Sequence, residues 1–315
     1  MRCLFPSRCL HFYIPIRPLW GAMMSVHTLA SEAPVLVLAD LHRDDYLRLG
    51  LDVFMSNGLG SLIGPRYAAV VIAGDLINDP QRQLAPALRW LIDLFAPAPV
   101  FFLVGNHDFY RHGIDQQDQL RGITEAAGAI YAQKLEVVQN DTRFLIATLW
   151  TDYSLGGDPV AAMRMAASVM NDHRLISMPS ARAAQAKPEE RDALPRVAVS
   201  PTVLREIHRD HRAWLYNRLA EPFSGRTAVI THHSPHPSVH GKLDGLSPAF
   251  CSDLSDLILR HGPDLWLFGH THRRLTAQVG RTTIRNVSIG YAGEHLGAAT
   301  PEFLAGCVIS EGSWG

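Results

Sequence analysis

Five short apolar segments, each followed at once by a polar cluster, limit what this chain can fold into more than any other feature of its sequence. Each segment is rich in β-branched or aromatic side chains, which is typical of strands that are buried on both faces. The segments are residues 35–39, 69–73, 100–104, 227–230 and 265–268. Helical patterns separate them, and this alternation of strands and helices predicts an α/β architecture.

The helical patterns cover residues 45–57, 83–95, 117–127, 201–219 and 248–260. The fourth begins at Pro201, directly after Ser200, and a serine followed by proline is a typical helix start. Residues 143–150 and 281–289 have strand-like patterns, and we predict that they belong to a second sheet.

Residues 153–200 interrupt the alternation of strands and helices. Residues 161–170 have a helical pattern, whereas residues 180–196 are rich in Ala, Arg, Glu and Pro and predict a mobile loop. Loops of this length inside a domain are usually functional or disordered. We therefore predict a cap or loop insertion at about 153–200, near the functional site of a single domain that spans residues 31–315.

We predict that the first 30 residues are a disordered extension without a structural role. The segment from Met1 to Met23 is basic and partly apolar, but Pro15 and Pro18 interrupt it. No small-residue cleavage site follows a clean apolar run, so the segment makes a poor signal peptide. Translation that begins at Met23 or Met24 is a further interpretation.

The composition argues against two classes of partner. The charge is nearly balanced, with 29 basic and 30 acidic residues, which speaks against a strongly electrostatic nucleic-acid binder. No apolar run reaches the ~20 residues that a membrane-spanning helix needs. The four cysteines have neither metal-type spacing nor a dense disulfide pattern, which favours a cytoplasmic protein.

The polar clusters after the five apolar segments contain residue types that bind transition metals, namely histidine and carboxylates. In open α/β sheets, ligands bind beyond the carboxyl ends of the strands, so each cluster stands where a site would be built. The candidate residues are Asp40, His42, Asp75, Asn106, His107, Asp108, His232, His270 and His272. Each cluster alone has an ordinary explanation, such as a helix cap or a turn, but together they supply enough ligands for two metal ions.

In these clusters the chain resembles the calcineurin-like metallophosphoesterases. The resemblance rests on five blocks that occur in the family order: Asp40-Leu41-His42, Gly74-Asp75, Gly105-Asn106-His107-Asp108, His232, and Gly269-His270-Thr271-His272. The two four-residue blocks are the most specific. Asn78 stands where many members carry Asp, and Asp108 stands where Glu is equally common. The resemblance implies an α/β fold of the four-layer α/β/β/α sandwich type, with two packed sheets and helices outside them.

The resemblance also implies a centre of two divalent transition-metal ions, Mn, Fe or Zn. Seven residues would hold them: Asp40, His42 and His272 for one ion, Asn106, His232 and His270 for the other, and Asp75 as the bridge. His107 would contact the phosphate and protonate the leaving oxygen, held by the carboxylate of Asp108. The alternative for His107 is that it only orients a metal ligand or the phosphate.

These residues predict a phosphoric ester hydrolase, either a monoesterase or a diesterase, that uses a metal-activated hydroxide on a small phosphorylated substrate. Two cations ~3.5–4 Å apart neutralise an anionic ester and lower the pKa of bound water to about 7. A nuclease would need a basic groove with stacking aromatics, whereas acidic residues intersperse the basic ones of 153–200 and no aromatics interleave with them. A cyclic-nucleotide phosphodiesterase shares the motifs and stays an alternative. A non-catalytic scaffold would lack metal ligands that are present here.

Overall fold

A computed structural model describes residues 26–185, 190, 194–294, 299–310 and 314. Its strands are β1 (Val26–Leu29), β2 (Val35–Leu38), β3 (Ala69–Ala73), β4 (Val100–Leu103), β5 (Ile130–Tyr131), β6 (Leu135–Gln139), β7 (Thr142–Ala147), β8 (Ser177–Pro179), β9 (Arg196–Ala198), β10 (Arg226–Thr231), β11 (Leu265–Phe268), β12 (Thr276–Val279), β13 (Thr282–Asn286) and β14 (Val308–Ile309). Its helices are α1 (Arg43–Arg48), α2 (Val53–Ser56), α3 (Pro80–Phe95), α4 (Gln117–Ala126), α5 (Pro159–Val169), α6 (Asp172–Leu175), α7 (Ala181–Gln185), α8 (Pro201–Ala220), α9 (Ser255–His261) and α10 (Pro301–Gly306). Among these residues, none of the helices has both the length and the apolar composition that crossing a membrane requires.

The first large sheet has five strands in the order β14-β2-β3-β4-β5. Strands β2 to β5 are parallel, and β14 pairs with β2 in the antiparallel direction. The apolar segments 35–39, 69–73 and 100–104 form its central strands, and every residue of these strands is buried. Burial on both faces explains why the strands are continuous apolar runs rather than alternating patterns.

The second large sheet has seven strands in the order β1-β6-β7-β10-β11-β13-β12. Its four central strands β7, β10, β11 and β13 are parallel. The apolar segments 227–230 and 265–268 form β10 and β11, while 143–150 and 281–289 contribute β7 and β13. The prediction of a second sheet is therefore confirmed.

One apolar core lies between the two sheets, because buried side chains of β2, β3 and β4 share a cluster with those of β7, β10 and β11. A separate buried cluster joins β10 and β11 to the outer helices α8 and α9. The helix α3 buries Leu84, Leu88 and Leu91, which lie on one helix face. Two packed sheets flanked by helices confirm the predicted α/β fold.

The helix predicted over residues 45–57 was wrong, because the chain forms two short helices there, α1 and α2. Gly50 between them has φ +70°. Asp52 then starts α2 as its N-cap, with a side chain that accepts hydrogen bonds from Phe54 N and Met55 N. A glycine in the left-handed region commonly ends a helix, here α1, and an Asp at the N-cap starts the next helix, here α2.

The helix predicted over residues 248–260 was also wrong in its first half. Residues Ser247–Ala249 form a 3₁₀ turn, and α9 starts only at Ser255. Between them, the backbone N–H of Ser252 donates to the carbonyl of Ser234 in the loop after β10. This long-range pairing takes the place of helical hydrogen bonds.

The predicted boundary at residue 30 lies too late. Residues 1–25 lie outside the described residues, but Val26–Leu29 form β1 and pair in parallel with β6. The burial of β1 alternates along the strand, as expected for an edge strand with one face on the protein.

The predicted insertion contains α5, α6, α7 and the antiparallel pair β8–β9. Helix α5 corresponds to the helical pattern at 161–170. Part of the segment predicted as a mobile loop, residues 186–189 and 191–193, lies outside the described residues.

Candidate metal centre

The loops after five strands meet at one edge of the molecule, where the two sheets adjoin. At this edge the backbone of Ala39 pairs with that of Ser288, which links the end of β2 to the loop after β13. Three groups of side chains have ligand atoms within 4.8 Å of one another: Asp40, His42 and His272; His42, Asp75 and His107; Asp75, His232 and His270. The amide oxygen of Asn106 lies 3.0 Å from His232 Nε2. The structure therefore brings together all seven residues that the sequence proposes as metal ligands.

Five of these seven residues have a left-handed backbone conformation. The φ angles are 56° for Asp40, 39° for His42, 54° for Asp75, 64° for His270 and 48° for His272. Positive φ is uncommon outside glycine, although Asp and His tolerate it better than most residues. Each such residue costs on the order of 1–3 kcal/mol, and residues of this kind cluster at functional sites.

The glycines of the motifs leave room for these side chains. A Cβ added to Gly105 would lie 2.2 Å from Asp75 Oδ1, and a Cβ added to Gly269 would lie 2.5 Å from Asp40 Oδ2. Both distances are far shorter than ordinary van der Waals contact, which begins at 3.4 Å. The glycines are thus required by close approach of the backbone to a carboxylate, and not only by turn geometry.

The orientation of His232 is fixed by its own backbone contact. His232 Nδ1 lies 2.9 Å from the carbonyl oxygen of Ala73, so the hydrogen-bond network assigns the proton to Nδ1. Nε2 then faces Asn106 Oδ1 at 3.0 Å and Asp75 Oδ1 at 3.3 Å. Two oxygens that converge on Nε2 favour a positive charge there, which either a proton on Nε2 or a bound cation can supply.

His272 has the same arrangement on the other side of the centre. Its Nδ1 lies 2.6 Å from Glu294 Oε2, and its Nε2 faces His42 Nε2 at 3.2 Å and Asp40 Oδ1 at 3.4 Å. A carboxylate that accepts from the far nitrogen fixes the ring and raises its basicity. Glu294 lies 22 residues beyond His272 and outside the recognised blocks, so no motif in the sequence indicated it.

Asp75 lies between the two halves. Its Oδ1 faces His232, while its Oδ2 is 4.0 Å from His42 Nε2 and 4.0 Å from His107 Nε2. Oδ1 also accepts a hydrogen bond from the backbone N–H of His107 at 2.8 Å. One carboxylate therefore presents a different oxygen to each group of imidazoles.

The charges in the centre fit bound cations. Burial lowers the pKa of His232, but the neighbouring carboxylate of Asp75 raises it, and the resulting pKa is about 9. Burial also lowers the pKa of His272, but the carboxylates of Asp40 and Glu294 raise it, and the resulting pKa is about 10. At His42 and His270, burial lowers the pKa well below the ordinary value, so both rings are neutral and can donate lone pairs. Imidazole nitrogens, carboxylates and an amide oxygen form a donor set that suits Mn, Fe or Zn.

His107 is held by residues that the sequence analysis did not assign to it. Its Nδ1 lies 3.0 Å from Asn78 Oδ1, and its Nε2 lies 2.9 Å from the hydroxyl of Tyr291. The ring of Tyr110 lies against it, with 4.1 Å between ring centroids. Asn78 was visible in the sequence as a departure from the family pattern, but nothing there marked it as the partner of His107.

The predicted contact of Asp108 with His107 was wrong. Within the described chain, the Asp108 carboxylate accepts four backbone hydrogen bonds, from Asp75, Leu76, Ile77 and Gly105, at 2.8–3.2 Å. The 3₁₀ turn at His107–Phe109 directs its side chain toward the loop after β3. Burial and the charge of Asp75 raise the pKa of Asp108 to about 8. Asp108 thus joins the loops that carry Asp75 and Asn106.

Comparison with known proteins decides the family. The model of the calcineurin-like phosphoesterase family matches residues 33–274, a range that includes all seven candidate ligands. The chain belongs to the calcineurin-like phosphoesterase family. As a calcineurin-like phosphoesterase it is a metal-dependent hydrolase, and the resemblance inferred from the five blocks is confirmed.

A solved structure with a TM-score above 0.5 shows the same fold. The phosphopantetheinyl hydrolase from Mycobacterium tuberculosis is 17% identical with a TM-score of 0.59, and the match covers 83% of this chain and 91% of that chain. A putative 5'-nucleotidase from Staphylococcus aureus is 12% identical with a TM-score of 0.43, covering 82% of this chain and 49% of that one. No curated protein matches the chain significantly in sequence.

Proposed function

We propose that this calcineurin-like phosphoesterase hydrolyses a phosphoric ester bond, of a monoester or a diester, in a small phosphorylated substrate. The observation that carries the proposal is the position of Asp75, which faces His232 with one oxygen and His42 with the other. Two groups of lone pairs that share one carboxylate are suited to a pair of divalent cations.

The seven candidate ligands would bind the two cations in the arrangement that the sequence predicts. Asp40, His42 and His272 would hold one ion, Asn106, His232 and His270 the other, and Asp75 both. Two divalent cations, Mn, Fe or Zn, would neutralise the charge of the ester and lower the pKa of a bound water molecule.

The contacts of His107 support a role for this residue as the proton donor. With Nδ1–H donated to Asn78, the ring keeps Nε2 as the atom that exchanges a proton. This Nε2 faces the centre, 4.0 Å from Asp75 Oδ2. Its hydrogen-bond partner is the hydroxyl of Tyr291, and an oxygen of the substrate could take the place of that hydroxyl. A proton at Nε2 would pass to the leaving oxygen, so that an alcohol departs rather than an alkoxide. A positioned general acid of this kind contributes ~10²–10⁴-fold.

We also propose a cytoplasmic location. Cys251 and Cys307 are buried free thiols, which agrees with a reducing compartment.

The test is a substrate panel on protein that has been stripped with a chelator. Aryl monoesters, aryl diesters, nucleotides, cyclic nucleotides and single-stranded DNA are assayed before and after Mn²⁺ is restored. We expect hydrolysis of at least one phosphoric ester that disappears with chelator and returns with Mn²⁺. Hydrolysis that survives complete metal removal, or no hydrolysis of any ester with metal restored, would contradict the proposal.

A further inference from the structure

Asp172 connects the insertion to the metal centre. It begins helix α6, and its side chain is buried, with 4% of the residue exposed. One oxygen, Oδ1, accepts two hydrogen bonds, from Asn106 Nδ2 at 2.8 Å and from the Tyr110 hydroxyl at 2.8 Å. The contact with Asn106 spans 66 residues of sequence.

The first of these bonds decides which end of the Asn106 amide faces the centre. The oxygen and nitrogen ends of a primary amide have nearly the same shape, but only the oxygen can accept or coordinate. An ionised carboxylate only accepts, so Asp172 draws the amide nitrogen toward itself. The oxygen is left 3.0 Å from His232 Nε2, on the side of Asp75.

The second bond keeps Tyr110 in place. Burial, followed by the charge of Asp172, raises the pKa of Tyr110, so its hydroxyl stays protonated and donates. The ring of Tyr110 lies against His107, with 4.1 Å between the centroids. The same carboxylate oxygen therefore supports both Asn106 and the ring packed on His107.

We propose that Asp172 is a positioning residue, supplied by the insertion, that turns the Asn106 amide oxygen toward Asp75 and His232 and thereby sets the metal affinity of that half of the centre. The inference rests on the proposed function, since it takes Asn106 as a ligand. Hydrogen bonds to an ionised acceptor are about twice as strong as neutral ones, so both the position and the charge of Asp172 contribute.

The experiment is a calorimetric titration of metal-free protein with Mn²⁺. We expect two binding events in the wild type. Asp172→Ala leaves the Asn106 amide nitrogen only the longer contact with the Tyr110 hydroxyl, at 3.4 Å. Loss of such an outer partner typically lowers metal affinity about 10- to 100-fold. The loss should be confined to one binding event, while the event at Asp40, His42 and His272 stays unchanged.

Asp158→Ala is the matched control. Asp158 is another carboxylate of the insertion, the N-cap of α5, and it accepts a hydrogen bond from Ala161 N at 2.9 Å. Its replacement weakens the insertion without removing a bond to Asn106, so both binding events should stay as in the wild type. Equal losses in the Asp158 and Asp172 variants would overturn the proposal, because they would reduce Asp172 to general support of the fold.

Asp172→Asn gives a second, milder variant should Asp172→Ala not fold. Its amide oxygen can still accept from Asn106 but carries no charge, so we expect a smaller loss in the same binding event. Unchanged affinities in Asp172→Asn, or losses of equal size in both events, would also overturn the proposal. If instead the wild type itself binds no Mn²⁺, the proposed function fails first, which separates the two outcomes.

Discussion

Replacement of Gly105 by alanine tests the geometry of the centre without removing any ligand. The new Cβ would lie 2.2 Å from Asp75 Oδ1 and 2.6 Å from the backbone nitrogen of Asp75. Ordinary contact begins at 3.4 Å, so either Asp75 or the loop after β4 must move by about 1 Å, the difference between these distances. The loop has little freedom, because Gly105 N also donates to Asp108 Oδ2 at 2.8 Å.

A displacement of about 1 Å at a reacting centre can lower the rate by about 10²-fold. Overpacking in a buried region costs typically 1–3 kcal/mol, so the melting temperature should fall by several degrees. We expect Gly105→Ala to lose most of its hydrolytic rate and part of its bound metal. Activity on an aryl ester, elemental analysis and thermal unfolding measure the three effects.

Gly122→Ala is the control for this prediction. Gly122 lies within α4, and a Cβ there would meet nothing within 4 Å. Alanine in a helix interior is more stable than glycine by roughly 0.5–1 kcal/mol, so this variant should melt slightly higher and keep full activity. If Gly105→Ala retains wild-type metal content and rate, the close approach to Asp75 does not constrain the centre and the reasoning is refuted.

Three further variants test single contacts of the centre. Asp75→Asn should weaken both metal-binding events and remove most activity, because one carboxylate charge serves both halves; elemental analysis that finds two metals with near-normal turnover would refute the shared role. His107→Ala should keep both metals and lose ~10²–10⁴-fold on alkyl esters, but far less on p-nitrophenyl esters, whose leaving group needs no proton; equal losses in a leaving-group series would point to phosphate positioning instead. Glu294→Gln should lower the metal affinity of the half that contains His272 by about 10-fold, the lower end of the range for such partners, and leave the other half unchanged in a Mn²⁺ titration.

Much of the fold followed from the sequence, because buried parallel strands are recognisable locally. The runs at 35–39, 69–73 and 265–268 became β2, β3 and β11 with boundaries that differ by one residue at most. The helix over 201–219 was equally local, since Ser200 caps it and accepts from Val203 N. The pattern over 45–57 misled because its apolar spacing says nothing about the left-handed Gly50 in the middle.

The sequence alone also predicted which candidate ligands lie close together in the structure. Each candidate follows a strand within a few residues, and the glycines of the blocks mark places where the backbone approaches a carboxylate. The candidate ligands could thus be predicted from short segments, and the convergence of strand ends brings those segments together.

Only the tertiary structure decided which groups hold the ligands in place. Glu294 reaches His272 across 22 residues, Asp172 reaches Asn106 across 66, and Tyr291 reaches His107 across 184. These partners belong to segments whose position depends on how the rest of the chain packs, so no local pattern specifies them. The same reason explains why Asp108, next to His107 in sequence, instead bonds the backbone of the loop after β3. Short sequence motifs specify the residue types at the candidate centre, whereas the direction of each side chain depends on the packing around it.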